Sequence, residues 1–520
     1  MGGEYRKELG LWHLVWLAVG AILGPAVAFV PVYVLAYGGP AGLAAWPIAF
    51  LMLVPPAMVF AELGTMWPRA GGVAYYPAKS NGSLVGVLNG WGAFLGYSLI
   101  VPAVSAMMAE TLAYYFPQLY SVQEQRLTLL GVLVALAIAL LAFAVDSLRV
   151  IVLGNVNYAL TVVKIALVLA AMAALLAFFN PRNLSNPSYG GFAPYGAAGV
   201  FIATTATIFG YLGFRQPVDY AEEARDPARD IPRAILVALA VVLVFYVVQS
   251  LAFLGVVDRW SAFNVTPGNW SALGSLPAPY PEAASAVRLP AAAAAFVAGA
   301  AIAGVTDALI YMGGAARVGN ALARLDNYFP DFFARLNRFG VPFNSLVVVL
   351  VVGLVYLLLL PSFMSVMLIF TDAVLVSYAP AAVSLLAFRR AYPDEPRPFR
   401  LPAAGALAPL AFGFTSLLIY WSGFQAVLIV VASTLAGLLA LPYVYYRKRA
   451  LSARDVRGGL WFVAYLLATL AMSYAGSSQF GGRNLIPFPY DTLAYFLVSL
   501  AFFYWGYRSA LDYLGVGRRA

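Results

Sequence analysis

Two hydrophobic runs, each long enough to cross a bilayer, are interrupted partway. The first reads Val19-Gly20-Ala21-Ile22-Leu23-Gly24-Pro25-Ala26 and the second Phe209-Gly210-Tyr211-Leu212-Gly213-Phe214. Hydrocarbon offers no partner to an opened backbone, so such a break survives only where it lines a cavity. Each break lies at the start of one half of residues 1–400. Breaks in corresponding positions of two halves are the sequence mark of a central binding site between membrane helices.

Composition agrees with a membrane setting. The 520 residues are 62% hydrophobic and 10% charged, with mean hydropathy +0.83, whereas soluble domains carry about 25% charged residues. Hydropathy divides the chain into fourteen spans, and the first, near 11–37, is too long to be the core of a cleavable signal. With no cysteine, disulfides, thiolate catalysis and Cys metal sites are excluded. His13, the single histidine, excludes a site that needs two. The net charge of +9 is topological and does not call for nucleic acid. Twenty-four Lys and Arg residues fall in segments on one side of the expected spans and five on the other. The positive-inside rule then sets both termini in the cytoplasm of a multi-pass plasma-membrane protein.

No soluble domain interrupts the spans. Residues 1–180 and 181–400 each hold five spans, an odd number, so they are expected to be two repeats of opposite orientation. The four spans in 401–520 carry no intramembrane ionisable residue and read as peripheral packing or as the surface of a homo-oligomer. Gly86, Gly90, Gly92 and Gly96 on span three fit close helix packing.

A charge at the bilayer centre costs at least ~2.5–3.5 kcal/mol, so each one needs a partner or a task. Three sit near mid-span: Lys164, Asp307 and Asp372. Lysine, unlike arginine, exchanges its proton readily, which makes Lys164 with Asp307 a proton-coupling candidate. A fixed ion pair that only joins helices is the alternative. Arg215, just past the second break, either faces substrate or pairs with Asp219, Glu222 or Glu223. Arg215 and Asp372 are candidates for a gating or charge role. Glu62, Glu110 and Asp146 are expected to reach water, and His13 to anchor span one at the interface. Phe209 and Tyr211, beside the second break, are gating candidates.

Four blocks then resemble one known family. Ala61-Glu62-Leu63-Gly64 with Pro68-Arg69-Ala70-Gly71-Gly72-Val73-Ala74-Tyr75 resembles the second-helix signature of amino acid permeases in the amino acid–polyamine–organocation superfamily. Phe209 to Phe214, Ala221 to Pro227 and Ile231 to Ile235 resemble its sixth-helix block. Arg317, Pro330, Asn337 and Gly340-Val341-Pro342 fit its eighth-to-ninth-helix segment, and Pro393 to Arg400 the loop after helix ten.

The resemblance implies a LeuT-like bundle of five plus five inverted helices. Substrate is then held at Ala21, Ile22, Leu23, Gly24, Pro25 and Ala26 and at Phe209, Gly210, Tyr211, Leu212 and Gly213. Free N–H groups of helix one would bind a carboxylate, and carbonyls of helix six an ammonium. Lys164 matches a lysine that some members place where others hold sodium, and Asp307 falls on the eighth-helix contribution. Two positions depart from the family. Gly24-Pro25-Ala26 stands for the usual Gly-Ser-Gly, and Pro25 lacks the N–H of an expected donor. Arg215 stands where an acid or a neutral residue is common. A non-standard or anionic amino acid is therefore open as substrate.

The implied activity is secondary active transport of amino acids or related amines by alternating access, coupled to protons. An amino acid or polyamine exchanger is the alternative, with a channel behind it. One histidine, no cysteine and no clustered carboxylates leave little apparatus for an enzyme. No nucleotide-binding loop appears, and nothing calls for a cofactor or a metal.

Overall fold

Apolar runs inside a membrane can satisfy their backbone only through helices or a closed barrel. In the computed structural model, which describes residues 5–516 apart from 25, 122, 125, 325–327, 360–362 and 450, the chain is helical almost throughout. One short hairpin, Tyr120–Ser121 with Arg126–Leu127, is the exception, beside a single bridge between Leu9 and Ala224.

The first run is split into α1 (Leu11–Ile22) and α2 (Ala26–Gly38). A 3-10 turn leads into α3 (Ala45–Met66), and α4 (Gly72–Asn81) bridges to α5 (Ser83–Leu112). Then come α6 (Leu129–Asp146) and α7 (Val150–Leu176). The second broken run gives α8 (Gly196–Phe209) and the single turn α9 (Gln216–Asp219), followed by α10 (Pro227–Leu254). After α11 (Pro279–Ala286) come α12 (Pro290–Arg324), α13 (Phe343–Leu359) and α14 (Phe363–Ala391). The remainder forms α15 (Ala404–Trp421), α16 (Phe424–Leu435), α17 (Leu441–Tyr443), α18 (Ala453–Ala475) and α19 (Tyr490–Leu514).

Ten stretches among the described residues are long and apolar enough to cross a bilayer, one of them running from Ala26 to Met66 through α2 and α3. Three more apolar helices are shorter: Leu11–Ile22, Gly196–Phe209 and Phe343–Leu357. The count differs from fourteen because the breaks leave half-length helices and α2 runs on into α3. In addition α19, with 25 residues, has the length but not the hydropathy.

Helix α5 is the central post, buried along most of its length and packed on α12 and α14. Small residues allow that approach: a Cβ on Gly96 would stand 2.9 Å from Ala373 of α14, and one on Gly90 would overlap Leu322 of α12. The broken halves pack in pairs, α2 against α8 and α1 against α9, α10 and α12. Leu133 and Leu140 on α6, Val163 and Leu169 on α7, and Val241 and Val244 on α10 stay exposed. In water such a surface would mark an interaction site; here it faces lipid.

Contacts sort the loops into two clusters. Arg6 donates to Arg338 O, Glu8 pairs with Arg149, the Ala70 N–H meets Glu222, Trp67 meets Glu395 and Ser83 meets Asp455. At the other end Ala41 bonds to Phe192 O, Tyr114 meets Ser285, and Asn180 meets Asp258. The arginine-rich segments all belong to the first cluster.

Candidate functional site

Carbonyls on both sides of the first break lack intrahelical donors, and three side chains from two other helices, α7 and α10, supply replacements. Lys164 Nζ of α7 donates to Gly20 O at 3.0 Å. Tyr246 of α10 donates through its hydroxyl to Ile22 O at 3.0 Å, and Gln249 Nε2 reaches Val27 O at 2.6 Å. The break is therefore held open by partners and not merely tolerated. Pro25, the missing donor in the sequence argument, lies outside the described residues.

The second break is a series of turns from Gly210 to Arg215. Gly213 adopts φ +109°, a region that side chains avoid. A Cβ there would also stand 2.8 Å from both the Cβ and carbonyl carbon of Ala21, so the two breaks touch through a glycine. At Gly24 the neighbour is Asp307 of α12, whose carboxylate occupies the space a Cβ would need. Two glycines thus let an opened helix approach a second break on one side and an acid on the other.

Between the breaks lies a small cavity, far below the ~300–1,000 Å³ of ligand pockets, so the two breaks are closed on each other. Ala21, Ile22, Ala26, Phe209, Leu212 and Asp307 line it, together with Ile100, Tyr311 and Phe370. The last three are absent from the sequence reading, although Tyr311 stands one helical turn past Asp307 and so shares its face. Phe209 and Tyr311 each meet Phe370 edge-on, at centroid distances of 6.3 and 5.3 Å, and Tyr311 meets Tyr97 at 5.2 Å. Gly210 packs against Trp46, and the Tyr211 hydroxyl donates to Trp46 O at 3.0 Å. Tyr211 thus turns to α3 and away from the cavity lining.

Lys164 and Asp307 are both buried, yet no salt bridge joins them among the described residues. Lys164 donates instead to Thr306 Oγ1 at 2.6 Å, and the Thr306 hydroxyl donates onward to Ala303 O at 2.9 Å. Lys164 and Leu23 line a second small void. The ammonium therefore ties α1, α7 and α12 together, while Asp307 faces the cavity with Oδ1 free of hydrogen-bond partners among the described residues.

Arg215 is fully buried, bonded through Nη2 to Asp219 Oδ2 at 3.2 Å and stacked near the rings of Phe60, Tyr97 and Tyr378. Tyr97 donates to the same carboxylate oxygen at 2.9 Å. Of the two roles open to Arg215, the geometry shows pairing with Asp219; Glu222 and Glu223 have other partners. Arg317 meets Glu223 with two bonds of 2.5 and 2.7 Å, over the Tyr220 ring, and Arg324 meets Glu222 at 2.7 Å. Backbone N–H groups of Glu8 and Leu9 donate to Glu223 O at 3.0 and 2.9 Å. The segment before α1 and the segment after α9 are thereby fastened to α12.

Asp372 lies elsewhere, accepting from Ser422 Oγ at 2.6 Å where α14 meets the α15–α16 turn. Two acids expected at water are not there. Glu62 is fully buried, gripped by Arg389 at 2.5 and 2.9 Å and by the Leu401 N–H at 2.7 Å, and Asp146 is 3% exposed. Proximity to a span end did not give access, because the 389–401 loop folds back over Glu62. His13 accepts from the Gly10 N–H at the start of α1 and contacts Asn155 at 2.9 Å.

Residues 9–445 match the amino acid permease family. The chain is similar to the glutamate/serine transporter AimA of Bacillus subtilis, at 29% identity across 97% of this chain and 94% of that protein. It is equally similar, at 29%, to the aspartate-proton symporter of the same organism, across 98% of this chain and 99% of the relative. The branched-chain amino acid permease BcaP of that bacterium is 25% identical over 86% of this chain and 94% of its own length.

Proposed function

The chain belongs to the amino acid permease family, and from that premise we propose that it is a secondary active amino acid transporter, driven by protons through alternating access. The observation that carries the reading is the cavity closed between two touching helix breaks, with one acid in its wall. Opened helix ends offer what a zwitterion needs. The positive end of α2 favours a carboxylate, and Asp307 with nearby carbonyls favours an ammonium. The five-plus-five inverted arrangement belongs to the same proposal, supported by the pairing of α2 with α8 and of α1 with α9.

In this proposal Lys164 is the coupling group. Its ammonium sits among oxygens of α1 and α12, where a loose cation would otherwise be required, and lysine can release its proton. Arg215 with Asp219 would serve as part of the closed gate on the face bearing both termini. That face would be cytoplasmic, in keeping with the 24 to 5 distribution of basic residues. Glutamate, aspartate and serine, named for the relatives, are the first substrates to test.

Purified protein in sodium-free liposomes, given an inward proton gradient, should accumulate one of these amino acids. It should also show a counterflow overshoot, which a channel cannot give. Phe209→Ala should abolish saturable uptake while the protein stays folded. Unchanged affinity and rate in that variant would remove the cavity from the mechanism.

A further inference from the structure

At one end of the bundle, the start of α18 and the last turns of α19 line an open cleft. Arg454 and Arg457 reach it from the start of α18, and Arg508 from the last turns of α19. Asp512 is the one acid in its lining, so three cations face one anion. Some arginines of the same loop cluster are paired with acids, as Arg389 is with Glu62, Arg317 with Glu223, Arg324 with Glu222 and Arg149 with Glu8. Among the described residues none of the three cleft arginines has an ion pair.

The other polar groups of the cleft are already committed. Ser509 Oγ donates to Gly458 O at 3.0 Å, and the Tyr513 hydroxyl donates to Asp455 Oδ1 at 2.9 Å. Arg454 is positioned in the cleft lining by the Tyr513 carbonyl and ring. The donor set is therefore guanidinium, the group best matched to phosphate oxygens.

Surface apolarity names the source of that phosphate. Leu497, Ala501, Tyr504 and Arg508 follow each other at steps of four, three and four residues on α19, so they form one stripe. Leu497 is 58% exposed and Tyr504 51%. The stripe runs roughly 16 Å along the helix at 1.5 Å per residue, about the reach of one leaflet's hydrocarbon. On α18, Leu460 and Leu467 are exposed above Arg457 in the same way. Trp505, half exposed at the cleft mouth, suits the headgroup level. A soluble phosphate would have no use for such a stripe.

We propose that this cleft binds an anionic phospholipid, its phosphate among Arg454, Arg457 and Arg508 and its chains along the apolar faces of α18 and α19. Each arginine near the surface should strengthen binding about fivefold.

The test uses the full chain in detergent, stripped of lipid. Retained lipid is counted by native mass spectrometry, and the unfolding midpoint is followed with phosphatidylglycerol, phosphatidylcholine or glycerol 3-phosphate. Phosphatidylglycerol should be retained and should raise the midpoint, while the other two should not. Arg508→Gln should weaken retention about fivefold, whereas Arg483→Gln, in the opposite loop cluster, should leave it unchanged. A combined Arg454→Gln, Arg457→Gln, Arg508→Gln variant should lose the preference for the anionic lipid. Equal retention in wild type and Arg508→Gln, or an equal loss in Arg483→Gln, would overturn the proposal. So would a midpoint shift from glycerol 3-phosphate that matches that from phosphatidylglycerol.

Discussion

Lys164 carries more structural duty than a coupling ion alone would. It closes the orphan carbonyl of Gly20 and binds Thr306, so its substitution removes a strut together with the proposed proton carrier. Lys164→Ala is expected to bring pH-driven accumulation to background while counterflow exchange persists, which paired uptake and exchange assays would check. Sodium-dependent transport, or undiminished pH-driven uptake in the variant, would leave the lysine a strut only. Gly24 offers a sharper case. Gly24→Ala pushes a methyl into the Asp307 carboxylate, and the break has no slack on its other side, where Gly213 meets Ala21. Saturable uptake should vanish, and substrate should no longer raise the thermal midpoint. These residues were legible in sequence because glycine inside an apolar run and a charge at mid-span are local anomalies. Tyr246 and Gln249 were not. A tyrosine or glutamine that caps a carbonyl more than 200 residues away looks like any other on its helix.

Hydropathy made an all-helical membrane chain legible but not its number of spans, and both breaks fall where apolar runs contain paired glycines. Their fastenings were invisible for the same reason of distance. Arg317 and Glu223 stand 94 residues apart, and Glu62 and Arg389 stand 327 apart. Arg317 was singled out in sequence only by its fit to the family's eighth-to-ninth-helix segment, with no partner named, yet it is buried and locks α12 to the segment after α9. Removing one member of such a pair strands its partner, at a cost of about 3–5 kcal/mol. Glu223→Gln should therefore lower the unfolding midpoint strongly. Arg324→Gln, at a pair 28% and 15% exposed where Arg317 and Glu223 are 2% and 1%, should cost less, because water screens and partly replaces the lost partner. Thermal unfolding of both variants gives the comparison, and equal effects would show that Arg317 does not hold the latch. At the far end of the chain Asp455 caps α18 with Ser452 and accepts from the Ser83 N–H at the start of α5, which pins the last two helices to the central post.

On the scale of the whole molecule, the chain sorts its charge between two loop clusters, and the absence of cysteine makes the orientation directly measurable. Ser261→Cys, exposed in the cluster poor in arginine, should react with a membrane-impermeant maleimide on intact cells. Arg335→Cys, exposed in the opposite cluster, should react only after permeabilisation. The reverse pattern would invert the proposed topology. The five-plus-five plan was suggested by odd span counts, and the last helices by hydropathy alone, which is why α19 falls at the edge of both descriptions. One feature of the centre reaches beyond transport itself. The rings of Phe209, Phe370 and Tyr311 in the cavity wall and of Tyr97 beside Arg215 meet edge to face in series. Packed rings hold no file of water, and without such a file neither protons nor inorganic ions have a wire to follow. If the proposed transport holds, such a resting state would be closed to ions, and a cell could hold many copies in its membrane without dissipating its voltage.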